Sequence, residues 1–374
     1  MRTAAKKKLL IVNKAFWPSI GGVEETAREL AEAASTDFDV TILAVAEGEE
    51  RRQYRCGHSS VVKVPLHARP LSTPLSLEFM SAYRTLAKCA DVIHIHSPYP
   101  PAELAFVTTP SRARAVITYH FDVVRQRALA PLYAPLIRRA LIRCDRIVVS
   151  NPNLARTSPM LKNLSWKVSV APPGIDFGDF QLSGDELPLV RNIRSPYRRP
   201  IVLFVGRLVY YKGVDFLIKA IRGVEAELVV IGRGPLEPQL RQLASREGVA
   251  DRVHFLGGLS RTELKLQFHA CDLFVLPSVA RSEAFGLVLL EAMAAGKPLI
   301  TTELGTGTSW VNDHSRTGLV VPPGNVDALG QAIKSLLEDP TRRSCMSQAA
   351  RKRVREVFSY QGFCRGYLEA YTGR

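Results

Sequence analysis

Short runs of β-branched and other apolar residues recur along the chain, separated by segments in which apolar residues return every three or four positions. In the first half the runs are LLIVN (9–13), VTILAV (40–45), VIHIH (92–96), AVITYH (115–120), RIVVS (146–150) and KVSVA (167–171). In the second half they are IVLFVG (201–206), ELVVIG (227–232), VHFLG (253–257), LFVLPS (273–278), KPLITT (297–302) and GLVVP (318–322). Most are nearly continuous in apolar character rather than alternating, which is the pattern of parallel strands covered on both faces. Strand and helix patterns in alternation predict right-handed βαβ units, and so an α/β fold of doubly wound sheets.

The alternation breaks between Pro172 and Pro200, where PPGIDFGDFQLSGDELPLVRNIRSPYRRP is rich in Pro, Gly and charge. It reads as a linker between two domains of similar type. The closing SYQGFCRGYLEAYTGR sets Phe363, Tyr367, Leu368 and Tyr371 at helical spacing, and a helix that apolar must pack on something. Open α/β sheets carry their ligand sites at the carboxyl ends of strands, at the switch points. Two facing sheets would then make one cleft between domains, with functional residues just after strands.

Composition narrows the classes. A chain of 374 residues, 46% hydrophobic and 23% charged, suits a globular protein with room for real cores. No apolar run reaches membrane-spanning length. The basic start MRTAAKKK resembles a signal flank, but LLIVN is too short and Lys14 ends it, so a first strand and a cytoplasmic location are expected. The six cysteines form no CxxC pair or Cys/His cluster, which fits reduced thiols and not structural zinc. The formal net charge of +15 is uneven. From Arg51 to Lys167 there are 18 Lys/Arg against 5 Asp/Glu. Such a surface favours an anionic partner: nucleic acid, acidic lipid or a phosphorylated substrate. The bland alternative is a solvated basic face.

Several residues stand where chemistry is expected. Gly21 and Gly22 follow the first strand and precede a helix, either as a plain tight turn or to let amides approach a phosphate at a positive helix end. Arg207 and Lys212 lie just beyond IVLFVG; two cations there can neutralise a diphosphate without a metal, or be solvated loop charges. ELVVIGRGPLEPQL offers Gly232 and Gly234 after a strand but never completes GxGxxG. His94 and His96 alternate with Ile, as hydrogen-bonded core histidines can; His120, ending its strand, is the better functional candidate. The stretch SEAFGLVLLEAMAAGKPLI keeps two carboxylates, Glu283 and Glu291, in an apolar run. A helix starting near Phe285 or Gly286 would aim its amides at an anion, with Glu283 beside that site and Glu291 about two turns on. The alternatives are a dipole-complementing Glu283 and a structural ion pair for Glu291.

Taken as a set, these residues resemble the retaining GT-B glycosyltransferases of the group-1 class, family GT4. The resemblance covers nearly the whole chain: PSIGGVEETARELA, DVIHIHSP, VAPPGID, FVGRLVYYKGVDFLIKA, VIGRGPLEPQL, VHFLGGLSRTEL and the E-x7-E of Glu283 and Glu291. It implies two Rossmann-like domains, at 1–180 and 181–355, with a helix at 356–374 returning to the first. It implies that Gly21, Gly22 and Gly232 lie against the donor, that Arg207 and Lys212 bind its diphosphate, and that Glu283 and Glu291 hydrogen-bond the sugar and the ribose. The amides of Phe285, Gly286 and Leu287 would approach sugar and phosphates, and His120 would contact the donor sugar from the acceptor side. With Arg207 and Lys212 on the diphosphate, the resemblance implies that no metal or other cofactor is required.

After KPLITT many family members carry a GG-x-x-E turn; here ELGTGTSWVNDHSRTGLVVPPGN lacks that carboxylate. This form looks like bacterial mannosyltransferases of lipid-linked surface polysaccharides. It points to GDP-mannose as donor and a membrane-bound diphosphopolyprenol saccharide as acceptor, with the basic first domain at the inner face of the plasma membrane. Two rivals are a nucleotide-sugar epimerase of the same fold and a basic nucleic-acid-binding protein. The second is disfavoured because the aromatic residues of the basic region form no stacking platform.

Overall fold

The computed structural model describes residues 5–17, 22–70, 73–122 and 130–373. The chain divides into two compact units, Met1–Pro172 with Gln361–Arg374, and Pro173–Tyr360. The divisions fall near, not at, the expected 180 and 355. The stretch read as a linker belongs to the second unit: it carries the helix Glu186–Arg194, and Phe180 is buried in that unit's core. The helix buries none of its own residues, so its composition imitates a linker's.

The first unit holds one sheet of β1 (Lys7–Val12), β2 (Phe38–Val45), β3 (Arg52–Cys56), β4 (Ser59–Val64), β5 (Val92–Ser97), β6 (Arg114–Tyr119), β7 (Arg146–Val149) and β8 (Val168–Val170). Their order is β3-β4-β2-β1-β5-β6-β7-β8. All neighbours are parallel except β3 and β4. This hairpin is absent from the sequence reading. RQYRC is polar and mostly exposed at the sheet edge, where no apolar run is required. The sheet grows outward from β1 and then resumes on the other side with β5. The switch point therefore lies at the carboxyl ends of β1 and β5.

The second unit repeats the plan with β9 (Ile201–Val205), β10 (Glu227–Ile231), β11 (Val253–Gly257), β12 (Leu273–Leu276), β13 (Leu299–Thr302) and β14 (Gly318–Val321). The order is β11-β10-β9-β12-β13-β14, all parallel, with the switch point between β9 and β12. Every residue of β9, β10, β12 and β13 is buried, as the continuous apolar runs predict.

The closing helix, Tyr360–Thr372, packs within the first unit. Its Phe363, Tyr367 and Tyr371 are buried, and Leu368 is half-buried. The tyrosines meet polar residues that would otherwise be stranded in the sheet. Tyr371 Oη lies 2.9 Å from His94 Nδ1, and Thr118 Oγ1 donates to Tyr367 Oη at 3.1 Å. Gly366 permits this approach, since a Cβ there would stand 2.9 Å from the Ala171 methyl. Replacing Tyr371 with Phe leaves a buried imidazole nitrogen unpaired. Chemical denaturation should show a loss of about 1–3 kcal/mol; an unchanged midpoint and slope would refute this account of the helix.

Candidate active site

At the first switch point, Asn13 and Lys14 follow β1, His96 lies in β5, and His120 follows β6. His94, His96, Thr118 and His120 share one sheet face by the two-residue period of strands, with His96 opposite Thr118 in register. His94 is a core histidine: Nε2 bonds Thr118 Oγ1 at 2.7 Å and Nδ1 meets Tyr371, so neither nitrogen is left for a metal. His96 Nδ1 and His120 Nε2 are 2.9 Å apart, with the rings stacked at 5.1 Å between centroids and 12° between planes. Burial pushes the His94 and His120 imidazoles down to about 3, with neighbouring His120 and Lys14 respectively adding to the effect. Burial holds His96 well below its ordinary range as well. All three are neutral near pH 7.

Gly22 is exposed and is itself the first residue of the helix Gly22–Ala34; Gly21 lies outside the described residues.

At the second switch point Lys212 and Glu283 come together. Lys212 Nζ stands 2.5 Å from Glu283 Oε2, and both side chains are nearly buried. Ser278 Oγ donates to the same oxygen at 3.1 Å. Arg207, also just past β9, has an exposed side chain. The chain reaches Lys212 through a tight passage. Gly213 adopts φ 67°, and a Cβ there would sit 2.1 Å from the Pro277 carbonyl oxygen, so only glycine fits. Gly232 has a packing reason of its own: its Cβ would fall 2.0 Å from the Gly206 carbonyl oxygen. The Gly-x-Gly pattern therefore reports the close approach of two strand-end turns.

Phe285 buries its ring against Trp310 and Phe358, which leaves its backbone as the group facing the loop. Gly286 sits at φ 80°, and Leu287 precedes the helix Val288–Ala294. The amides of 285–287 have no acceptor among the described residues. Glu291 lies within that helix, largely buried, with no ion pair among the described residues. Burial pushes its carboxyl up to about 7, with Arg261 pulling weakly the other way. The structural ion pair considered for Glu291 is thus not formed.

In the loop after β13, Glu303 Oε1 accepts from Gly305 N and Ser309 Oγ, both at 2.8 Å. The loop also grips the Glu283 segment, with Thr306 Oγ1 donating to Glu283 O and Gly307 N to Ala284 O, each at 2.8 Å. Ser278 and Glu303 were not singled out from sequence. Their signal was a cluster of polar residues closing two otherwise apolar strands.

No group of three or more His, Cys, Asp or Glu among the described residues is arranged to hold a metal ion. No described helix is long and apolar enough to cross a membrane.

Comparison with known proteins places this geometry. Residues 20–178 match the model of Glycosyltransferase Family 4, and residues 189–353 that of Glycosyl transferases group 1. The chain is 35% identical to the D-rhamnosyltransferase WbpZ of Pseudomonas aeruginosa, over 91% of this chain and 89% of that protein. It is 32% identical to the O-antigen chain mannosyltransferase C of Escherichia coli, over 98% of each. Among solved structures, Anabaena Alr3699/HepE in complex with UDP superposes with a TM-score of 0.82 at 19% identity, covering 98% of this chain and 100% of that one. The chain belongs to the group 1, family 4 glycosyltransferases, and its two sheets are those of the GT-B fold.

The raised Glu291 carboxyl has a stability consequence. Its folded pKa lies above the usual 4.5, so the native state holds its proton more tightly. The associated stabilisation is full below about pH 4.5 and is lost as pH rises through about 7. Between pH 5 and 8 the wild type should lose about 1–3 kcal/mol relative to Glu291→Gln. Parallel denaturation curves across that range would overturn the prediction.

Proposed function

We propose that the chain is a retaining hexosyltransferase that moves a sugar from a nucleoside diphosphate to a lipid-linked saccharide in surface polysaccharide synthesis. The observation that carries this reading is the Lys212–Glu283 pair beside Arg207 at the second switch point. An ammonium has three N–H donors, and Glu283 engages one, which leaves two for the donor's phosphates. Arg207 supplies a planar fork for the same diphosphate. As the anomeric carbon–oxygen bond breaks, these cations and the amides of 285–287 meet the charge that develops on the leaving group. The acceptor hydroxyl oxygen forms the new bond on the same face, and its proton passes to the departing phosphate. In this reading Glu283 also accepts from the transferred sugar and Glu291 from the ribose, Gly22 and Gly232 flank the donor, and His120 contacts the sugar.

The names of two extensive relatives bear on the donor. One is a mannosyltransferase and one a D-rhamnosyltransferase. These sugars differ only at the 6-hydroxyl, so a GDP-linked manno-configured hexose fits both, and GDP-mannose is the favoured donor. Assays with GDP-mannose, GDP-D-rhamnose and UDP-glucose on a diphosphopolyprenol saccharide test the reading. Transfer only from UDP-glucose, or none from any donor, would refute it. Lys212→Ala and Glu283→Ala should each lower turnover about 10²–10³-fold while staying folded. With cations performing the leaving-group role, turnover should persist in EDTA; loss restored by Mg²⁺ or Mn²⁺ would refute the metal-free mechanism.

Membrane association is part of the proposal. The helix Ala130–Arg143 turns Ile137, Ala140 and Leu141 into its own unit's core. Arg143 donates to the carbonyls of Phe106, Val107 and Thr109. What stays outward is Arg138, Arg139 and Ile142, together with Trp166, 72% exposed. Lys167 links the two parts, bonding the Cys144 carbonyl at 2.6 Å while its ammonium stands 4.8 Å from the Trp166 ring centre. A tryptophan among cations suits a headgroup layer, with each cation worth about 1 kcal/mol. Flotation with anionic vesicles should show binding that falls with salt and with Arg138→Glu plus Arg139→Glu. Wild-type protein unbound at low salt would refute it.

A further inference from the structure

The first unit has a second concave site, at the other end of its strands from the switch point. A cavity of about 380 Å³ is lined by Phe106, Ser111, Arg112, Arg114, Arg143 and Asp145, with two alanines. Arg114 opens β6 and Asp145 precedes β7, so the cavity lies at the amino ends of these strands. His120 follows the carboxyl end of the same β6, about 20 Å along the strand. A donor held at the switch point therefore does not account for it.

Three guanidinium groups share this cavity with one carboxylate, and among the described residues no ion pair joins any of the four. Asp145 Oδ2 accepts from Ala115 N at 2.7 Å. Two of the arginines are ordered by neutral acceptors. Arg114 Nε donates to Ala370 O at 2.7 Å, which engages one of its five N–H groups. Arg143 donates to the carbonyls of Val107 at 2.8 Å and Thr109 at 2.9 Å, and its guanidinium lies 4.7 Å from the Phe106 ring centre. Carbonyls order a cation without cancelling its charge. Arg112 is exposed and has no side-chain partner among the described residues. Ser111 Oγ accepts from Ala113 N at 3.1 Å, and its own hydrogen remains to donate.

A solvated basic edge would account for Arg112 alone. It does not account for two arginines fixed by backbone carbonyls around one concavity with their charge unmatched. Groups ordered in advance bind an anion at little further entropy cost. A carboxylate has two oxygens and fills one guanidinium fork. Three such forks and a hydroxyl suit a centre with more acceptor oxygens. Three positive charges less that of Asp145 leave two, which matches the charge of about −1.5 to −2 on a phosphomonoester at pH 7. We infer that this cavity binds a phosphomonoester, separately from the transferase site and independently of the glycosyltransfer reading. Two sources carry that group. One is a soluble phosphorylated metabolite. The other is a lipid headgroup, because Lys167 bonds the Cys144 carbonyl, between Arg143 and Asp145, and so joins the cavity to the outward Trp166.

Calorimetric titration of the full chain with glycerol 3-phosphate at low salt tests the inference. Binding should persist in Lys212→Ala, which weakens the other cation site, and fall about tenfold in Arg112→Gln plus Arg114→Gln. Arg138→Gln plus Arg139→Gln removes the same charge from outside the cavity and should change binding less than about twofold. Should loss of the Arg114–Ala370 bond unfold the double variant, Arg112→Gln alone should weaken binding about fivefold. Flotation with phosphatidylcholine vesicles containing phosphatidic acid separates the sources. A lipid ligand is supported if the cavity variants lose vesicle binding well beyond the outer pair. A soluble ligand is supported if they lose glycerol 3-phosphate but match the outer pair on vesicles. If the cavity variants match the outer pair with both probes, or wild type binds neither, the inference is overturned. Neither readout uses sugar transfer, so the result stands whatever the transferase assays give.

Discussion

The constraint on which everything else rests is that both sheets are covered on two faces. A strand such as Ile201–Val205, buried at every position, can place no polar side chain along its length without a dedicated partner. Chemistry is therefore displaced to the first residues after each strand, where the chain leaves the ladder. Asn13 and His120 in one unit, and Arg207 and Ser278 in the other, occupy that position. At the switch points successive crossovers leave in opposite directions, so the strand ends are not roofed by a helix. The exceptions within strands confirm the constraint by their cost. His94 and Thr118 sit inside the first sheet, and each requires a tyrosine from the closing helix.

The Lys212–Glu283 pair shows what the displaced chemistry requires. Two nearly buried charges lose their hydration, and their attraction seldom returns more than it costs; removing one alone is worse, by about 3–5 kcal/mol. Such a pair contributes little net stability, yet the surroundings are built to keep it. Ser278 holds the carboxylate, Thr306 holds the Glu283 backbone, and Gly213 lets the lysine loop lie on the Pro277 carbonyl. The Glu303 turn fastens the loop that provides Thr306. An arrangement that stabilises so little but is fixed from four sides is better explained by orientation of the ammonium than by folding.

The strands were legible in the sequence because burial on both faces writes a continuous apolar run; the missed hairpin β3–β4 has no such requirement at the edge. Its inner strand hides Lys63, whose ammonium donates to the Phe16 carbonyl at 2.8 Å, a contact invisible to any pattern of polarity. The segment 173–200 misled for a related reason: proline, glycine and charge describe exposure, and an exposed helix is exposed whether or not it links domains. In the site, Glu283 and Lys212 could be named from sequence, but the bond between them could not, since 71 positions separate them. The partner of His120 was visible as His96 only once strand register brought β5 beside β6.

Register also changes how the basic region is understood. Counting charges between Arg51 and Lys167 treats every cation as free, yet several have structural work. Arg143 satisfies carbonyls at the end of the helix Pro100–Thr108, Lys167 those of Ile142 and Cys144, and Lys63 that of Phe16. These acceptors are neutral dipoles, so the charge is localised but not cancelled. Of the ion pairs among the described residues, one falls within that region, Arg51 with Glu78 at 3.6 Å. The first unit thus keeps its positive field while its cations are held in place by the fold. A field held this way acts at long range on any anionic surface, and it loses little entropy on contact because the cations that cap carbonyls are already ordered. Selectivity then falls to the outward residues, Arg138, Arg139 and Trp166, which are the ones able to adjust to what they meet.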